Sequence, residues 1–377
     1  MKKTILILTL LLVSCAPAPH APAERSAESV PSAQIPAATP TAEPSFEIVS
    51  APALTQVEML DEQNGWAQAE GLVLRTEDGG ENWLNVTPSD ILGDPAYAES
   101  FFLDAQTGWV LLQDLDKPTY GVIYRTTDGG KTWLWRNTPF GRSQINFLDV
   151  ENGYALTDLG AAAGSMGVSI WVTNNGGGDF NRVFLHEPGL DNSLPLSGVK
   201  NGFDFIDSQN GWVAGTVPQD GFVWFYRTRN GGFSWELQDL AMPSGYESNQ
   251  TSADAPLFFD GGLGLLPVHL FGEKSGFVFY RTKDRGETWQ ATTPLPMRGG
   301  EYALLSANEI ILWDGFGIIY STDNGGETWS ESSTDWQPAD SLRKLDFVSS
   351  TRGWALVGFD LYRTDDGGST WEKLGEE

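Results

Sequence analysis

The chain has 377 residues, room for one large domain or two ordinary ones, with 23 Lys and Arg against 50 Asp and Glu and a formal net charge of −27. A surface of that sign repels nucleic acid, whose binding rests on basic side chains displacing counterions, and bare anionic lipid as well. It suits cationic partners, divalent ions or plain solubility.

Lys2 and Lys3 open the chain, and Ile5 to Val13 is an apolar run about half the ~20 residues a membrane-spanning helix needs. Residues 1–14 therefore read as a signal peptide. The run ends in "LVSC", Leu12 to Cys15, which resembles the lipobox of bacterial lipoproteins. In that family the cysteine becomes the first residue and carries acyl chains, and two or more chains anchor stably where one does not. Cys15 is the only cysteine, so no internal disulfide exists. The resemblance implies an extracytoplasmic protein held to a bacterial membrane through the lipid on Cys15 alone, facing the cell surface or the periplasm. Residues 15–45 are rich in Pro, Ala and Ser and hold no aromatic residue. Such a segment cannot bury enough apolar surface to offset its ordering entropy, and it reads as a flexible tether in which His20 is inert.

From residue 46 to 377 the texture changes to repeats. "RTEDGGENW" ends at Trp83, "RTTDGGKTW" at Trp133, "VTNNGGGDF" at Phe180, "RTRNGGFSW" at Trp235, "RTKDRGETW" at Trp289, "STDNGGETW" at Trp329 and "RTDDGGSTW" at Trp371. The final aromatics stand 40 to 55 residues apart. A second signature precedes each box, as in "MLDEQNGWA", "FLDAQTGWV", "FLDVENGYA", "FIDSQNGWV", "FFDGGLGLL" and "FVSSTRGWA", with only the sixth unit departing as "LLSANEIIL".

Each unit reads as four short antiparallel strands. "INFLD" and "YALTD" flank an Asn-Gly pair whose positive φ angles suit a tight hairpin. A third strand such as "GFVWFYRT" enters the glycine-rich box, where the Asp or Asn accepts backbone N–H groups and the glycines take left-handed conformations. The aromatic starts the fourth strand. This is the pattern of a β-propeller blade, and the fold class is all-β: one seven-bladed propeller of four-stranded antiparallel blades after the tether. "FEIVS", Phe46 to Ser50, is expected to add a strand to the last blade and close the ring, leaving no free edge.

The box itself resembles the Asp-box: Ser or Thr, Asp or Asn two on, Gly two later and an aromatic three after that. In Asp-box families it is a structural turn at the blade periphery, which implies that Asp78, Asp128, Asn175, Asn230, Asp284, Asn324 and Asp366 are staples rather than seven sites. The alternation of "RT-x-DGG-x-x-W" boxes with "D-x-x-x-GW" turns is similar to the photosystem II stability and assembly factor family, single seven-bladed propellers some of which are lipoproteins. That resemblance implies a non-enzymatic protein-interaction or assembly scaffold. The alternative is a surface glycan-binding protein or a glycoside hydrolase of the sialidase- or xyloglucanase-like propellers. The chain lacks the six units and "RIP" signature of sialidases, and xyloglucanase-like enzymes pair two propellers.

In this topology both recurring turns lie on one face, and the variable connections share the other, where function usually sits on loops held by a rigid scaffold. Phe184 to Val199 and Leu240 to Pro256 are the longest connections from one blade to the next, and Leu111 to Gly121 joins the second and third strands of its blade. They are acidic with scattered aromatics, and the candidate binding face is Asp114, Asp116, Tyr120, Trp135, Tyr246 and Trp336, with Glu187, Asp191, Glu247, Asp254 and Asp340 around them and the channel mouth beside them. The aromatics serve either as anchors for protein or sugar or as packing for the loops. Arg75, Arg125, Arg227, Arg281 and Arg363 precede five boxes, as an incomplete basic ring or as partners of nearby carboxylates and aromatics. No catalytic set emerges: His20, His186 and His269 are not at metal-ligand spacing, no G-x-S-x-G elbow occurs, and the acidic turns lack the calcium pattern. The chain is expected to need no metal or cofactor. It is expected to be a monomer, to bind no nucleic acid, and to partner a membrane or envelope protein with a basic surface, or a glycan.

Overall fold

From Gln56 onward the strand Leu54–Met59 alternates open Gln56 and Glu58 with buried Val57 and Met59, the two-residue period of a strand with one packed side and one wet side. In the computed structural model, which describes residues 46–187, 192–297, 299–334 and 336–375 apart from the side chains of residues 94–97 and 340, that strand begins the first of seven blades. Its partners are Gly65–Ala69, Leu72–Thr76 and Trp83–Asn85, each antiparallel to the last. The remaining blades start from Asp94–Phe102, Ser143–Phe147, Val199–Phe205, the broken pair Gln250–Ala253 and Leu257–Phe259, Glu301–Leu304 and Leu342–Phe347. A bridge from Thr216 to Ser252 joins the sheets of blades 4 and 5 at their inner ends. Cys15, His20 and the tether lie outside the described residues, as does Asp191.

Among the described residues the blades have no cores of their own. Seven apolar clusters lie between consecutive blades, and one of them packs Leu54, Met59 and Trp83 of blade 1 against Trp354, Leu356 and Leu374 of blade 7. The ring is therefore closed by side chains. The strand Glu47–Val49 does not join the last blade as expected. It pairs with the outer strand of blade 1, Glu47 opposite Asn85 and Val49 opposite Trp83, because blade 7 already draws its four strands from residues 342–373.

The Asn-Gly hairpins also form for a reason other than the expected one. The turn after Phe147 spans Leu148 to Asn152 and is closed by Asp149, whose Oδ1 accepts the amides of Glu151 and Asn152. Gly153 is not among the positive-φ residues; a Cβ there would run into the Phe147 ring. That ring in turn stacks on Trp109 of the preceding blade at 3.8 Å and 7°, and Tyr154 stacks on Phe205 of the next at 3.6 Å and 4°. The "F-L-D…G-W" signature is thus an interblade stacking device. In the sixth unit Ser306 replaces the aspartate, and its hydroxyl accepts the amides of Asn308 and Glu309.

Candidate functional site

The seven boxes are built alike. The Thr126 hydroxyl donates to Asp128 Oδ1 at 2.9 Å and accepts the Gly130 amide at 2.9 Å, while Asp128 accepts the amide and hydroxyl of Thr132. Asp78, Asn175, Asn230, Asp284, Asn324 and Asp366 hold the same place, each bonded by the Thr two residues earlier. Gly129 and Gly130 have φ of 72° and 81°, a conformation glycine adopts without strain. Each box also hydrogen-bonds the first turn of its own blade, as Gly129 N does to Gln106 O, so both turns share a face.

The box arginines form no basic ring. Arg227 is buried, lies 5.0 Å over the Trp212 ring, donates to Gly286 O and pairs with Glu287 at 2.9 Å. Arg281 donates to Asn324 O, and Arg363 pairs with Glu81 of blade 1 at 2.6 Å. They pin one blade to the next.

The candidate binding residues do not come together. Trp336 packs against Trp313, Tyr362 and Trp371 between blades 6 and 7, and Tyr246 packs on the blade 4–5 cluster. Of the two roles open to these aromatics, anchor or packing, both residues take the packing one. Asp114 caps its own loop by accepting the amides of Asp116 and Lys117, and Asp116 and Tyr120 are exposed there. Trp135 is exposed on the outer strand of blade 2, Leu134–Thr138, at the rim rather than on the loop face.

What sequence reading missed is a polar girdle on the inner strands. Ser100 donates to Gln56, Gln144 to Asn201 O, Asn146 to Asp204 and Asn201 to Ser252. Tyr302 donates to Asp254 Oδ2 at 2.9 Å, and the Met59 amide donates to Asp346 Oδ2 at 2.7 Å. His269 Nε2 stands 3.7 Å from the same Asp254 oxygen. A cavity of about 260 Å³ opens between blades 7, 1 and 2, lined by Gln56, Glu58, Ser100, Arg343 and Lys344. A signal was present in the sequence: the polar residue just before the apolar one of the first signature, in "EML", "NFL", "DFI" and "DFV", is Glu58, Asn146, Asp204 and Asp346.

The electrostatics of this girdle are unusual. Glu58 is open to the channel yet enclosed by protein, and burial, then the charge of Asp346, pushes it up to about 7 against the pull of Lys344. Burial pushes Asp204 to about 7 in spite of bonds from the Phe205 amide and Asn146. Glu301 is likewise raised to about 7 by burial, while Lys344 and His269 pull it down and Asp254 adds to the rise. Burial also raises Glu99 and Asp346. Among the described residues no group of His, Cys, Asp or Glu is arranged to hold a metal ion, and no helix is long and apolar enough to cross a membrane.

No protein-family model and no curated protein matches the chain. Among solved structures it is similar to YCF48 bound to D1 peptide, at TM-score 0.54 and 20% identity over 85% of this chain and 97% of that one. YCF48 from Cyanidioschyzon merolae gives TM-score 0.54 and 19% identity over 85% and 99%. The GH74 enzyme of Niastella koreensis gives TM-score 0.57 and 14% identity over 89% of this chain, which spans 56% of that enzyme. At these identities the likeness establishes fold and not activity. The chain is an all-β, seven-bladed propeller of antiparallel blades, with a fold similar to that of YCF48, the photosystem II assembly factor that the motifs resemble.

Proposed function

We propose that this propeller is a non-enzymatic protein-interaction scaffold of the bacterial cell envelope, tethered by lipid at Cys15, and that its channel girdle receives a cationic segment of the partner. One observation carries the reading: Glu58, Asp204 and Glu301 are carboxyls that burial raises to about 7. Such a group lacks a sufficient counter-ion. One lysine, Lys344, acts on Glu58, Glu301 and Asp346 together. A Lys or Arg side chain placed beside them restores their ionisation and gains attraction in a poorly solvated place. A structural neighbour that binds a peptide, YCF48 with D1 peptide, supports a propeller of this shape taking a protein segment.

The test is a photo-crosslinking residue placed at Gln56 or Arg343 of the full lipoprotein in its native cell, with Glu81 on the box face as control. A protein adduct at the channel positions and none at Glu81 is expected. Equal labelling at all three, or none, sinks the reading.

A second reading rests on Glu58 and Asp346, since the charge of Asp346 adds to the rise at Glu58 across the blade 7–1 seam. Two neighbouring carboxyls are the equipment of glycoside hydrolysis. Its test is a polysaccharide hydrolysis screen with Glu58→Gln and Asp346→Asn as controls. Activity lost in both variants would favour it, and no activity in the unmodified protein removes it.

A further inference from the structure

Outer strands of propeller blades end in unpaired backbone, and the seven blades treat theirs differently. Blade 1 covers its outer strand with Glu47–Val49. Blades 4, 5 and 7 shorten theirs to two residues, Glu236–Leu237, Gln290–Ala291 and Glu372–Lys373, and blade 6 uses the polar run Ser330–Ser333. Short or polar edges are the usual protection against pairing with another chain. Blade 3 keeps five residues, Asn181–Leu185, but its apolar Val183, Phe184 and Leu185 are buried or half-buried. Blade 2 has none of these protections. Its outer strand, Leu134–Thr138, pairs with the third strand over five residues, Leu134 opposite Arg125 through Thr138 opposite Gly121, and among the described residues no strand pairs with its other edge. The Trp135 carbonyl accepts only the exposed Arg136 guanidinium, at 2.8 Å, which an incoming acid would draw away.

That edge is also apolar and locally basic. Leu134 is 70% exposed and Trp135 43% exposed. The strand reads "LWRNT", with Arg136 and no acid, on a chain whose net charge is −27. Trp135 lines a groove of about 440 Å³ between blades 1 and 2, together with Phe46, Pro88, Tyr124, Lys131 and Trp133. Alternate residues of a strand point to opposite faces, so Leu134 and Arg136 share one face and Trp135 and Asn137 the groove side.

We infer that the outer edge of blade 2 is a strand-addition site for an extended peptide of a partner protein in which an acidic residue is flanked by apolar ones. The acid falls opposite Arg136, on the face of Leu134, and its apolar neighbours fall on the groove side against Trp135. Main-chain hydrogen bonds supply binding, and the alternating side chains supply selectivity. The molecule already contains one strand of this chemistry. Phe46-Glu47-Ile48 places an acid between two apolar residues, adds to the rim of blade 1, and leaves Phe46 in this same groove. Self-pairing in full overlap is disfavoured, because an antiparallel copy centred on Arg136 sets two arginines opposite each other. The inference concerns the rim and stands apart from the channel reading.

The probe is the capped peptide SFEIVS and its charge-reversed form SFKIVS, titrated to millimolar concentration into the full chain, with backbone amide shifts followed by NMR. SFEIVS should shift the amides of Leu134 to Thr138 and bind several-fold more tightly than SFKIVS. Arg136→Glu should reverse that order, and Trp135→Ala should weaken both peptides. Arg136→Gln, which keeps the stem and removes the charge, should make the two peptides equal and serves if the reversed variant fails to fold. Shifts confined to Trp83–Asn85, no shift along Leu134–Thr138, or a preference unmoved by Arg136→Glu would overturn the inference.

Discussion

Asp346 of blade 7 accepts the backbone amide of Met59 of blade 1 at 2.7 Å, so the last blade and the first are joined by a carboxylate rather than by a shared strand. Asp346→Ala leaves that amide without its partner in a place little reached by water. A loss of about 1–3 kcal/mol is expected, and Asp346→Asn, which keeps an acceptor, should lose less. Urea unfolding of the two variants checks the order; equal losses would mean that the bond carries no weight.

The strand Glu47–Val49 covers three residues of blade 1 and contributes nothing to the blade 7 sheet. Removing residues 1–50 should therefore lower the melting temperature by only a few degrees while baring Trp83–Asn85 as an unpaired edge. Light scattering on heating should rise sooner than in the full chain. A collapse of the fold would show that the strand closes the ring after all.

Gly153 lies under the Phe147 ring, with no room for a Cβ, whereas a Cβ at Gly299 meets nothing within 4 Å. Gly153→Ala should destabilise by about 1–3 kcal/mol through overpacking, and Gly299→Ala should be close to neutral. Thermal melts of the two variants, compared side by side, decide the point.

Stability should peak in mild acid. Burial raises Glu58, Asp204 and Glu301 to about 7, from ordinary values of 4.5, 3.8 and 4.5. Such a group holds its proton more tightly folded than unfolded, so its contribution is complete below the ordinary carboxyl range and is lost as pH rises toward about 7. On the acid side, Asp284 is held below 3.8 chiefly by the amide and hydroxyl of Thr288, and its contribution is lost as pH falls. Melting temperature against pH should show a maximum at about pH 4, where the two opposing sets of carboxyls cross, and a decline to pH 8. Asp204→Asn should make that decline shallower, and an unaltered slope would remove Asp204 from the account. Binding of a cationic peptide in the channel should run the other way and strengthen as pH rises through about 7.

Much of the fold was legible because each box prescribes one turn: Thr126, Asp128, Gly130 and Thr132 all bond within nine residues, so local sequence determines local geometry. Where a residue's role depends on the neighbouring blade, sequence reading failed. Gly153 looked like a turn residue and proved to be clearance for Phe147, while Trp336 could be read as anchor or as packing until its contact with Trp313 of the blade before was seen. The girdle was hidden for the same reason. Glu58 and Asp346 are 288 positions apart and meet only when the ring closes, though the polar residue before each first signature was visible all along.

Because every apolar cluster belongs to two blades, the molecule has no terminal repeat that can fray. In an open array a lesion near one end is felt locally and the other end survives. Here a blade can leave only by breaking both of its seams at once, and its departure exposes apolar faces on two neighbours. Unfolding is therefore expected as a single cooperative event, with native-state hydrogen exchange nearly uniform from blade to blade and no partly opened ring populated along the way.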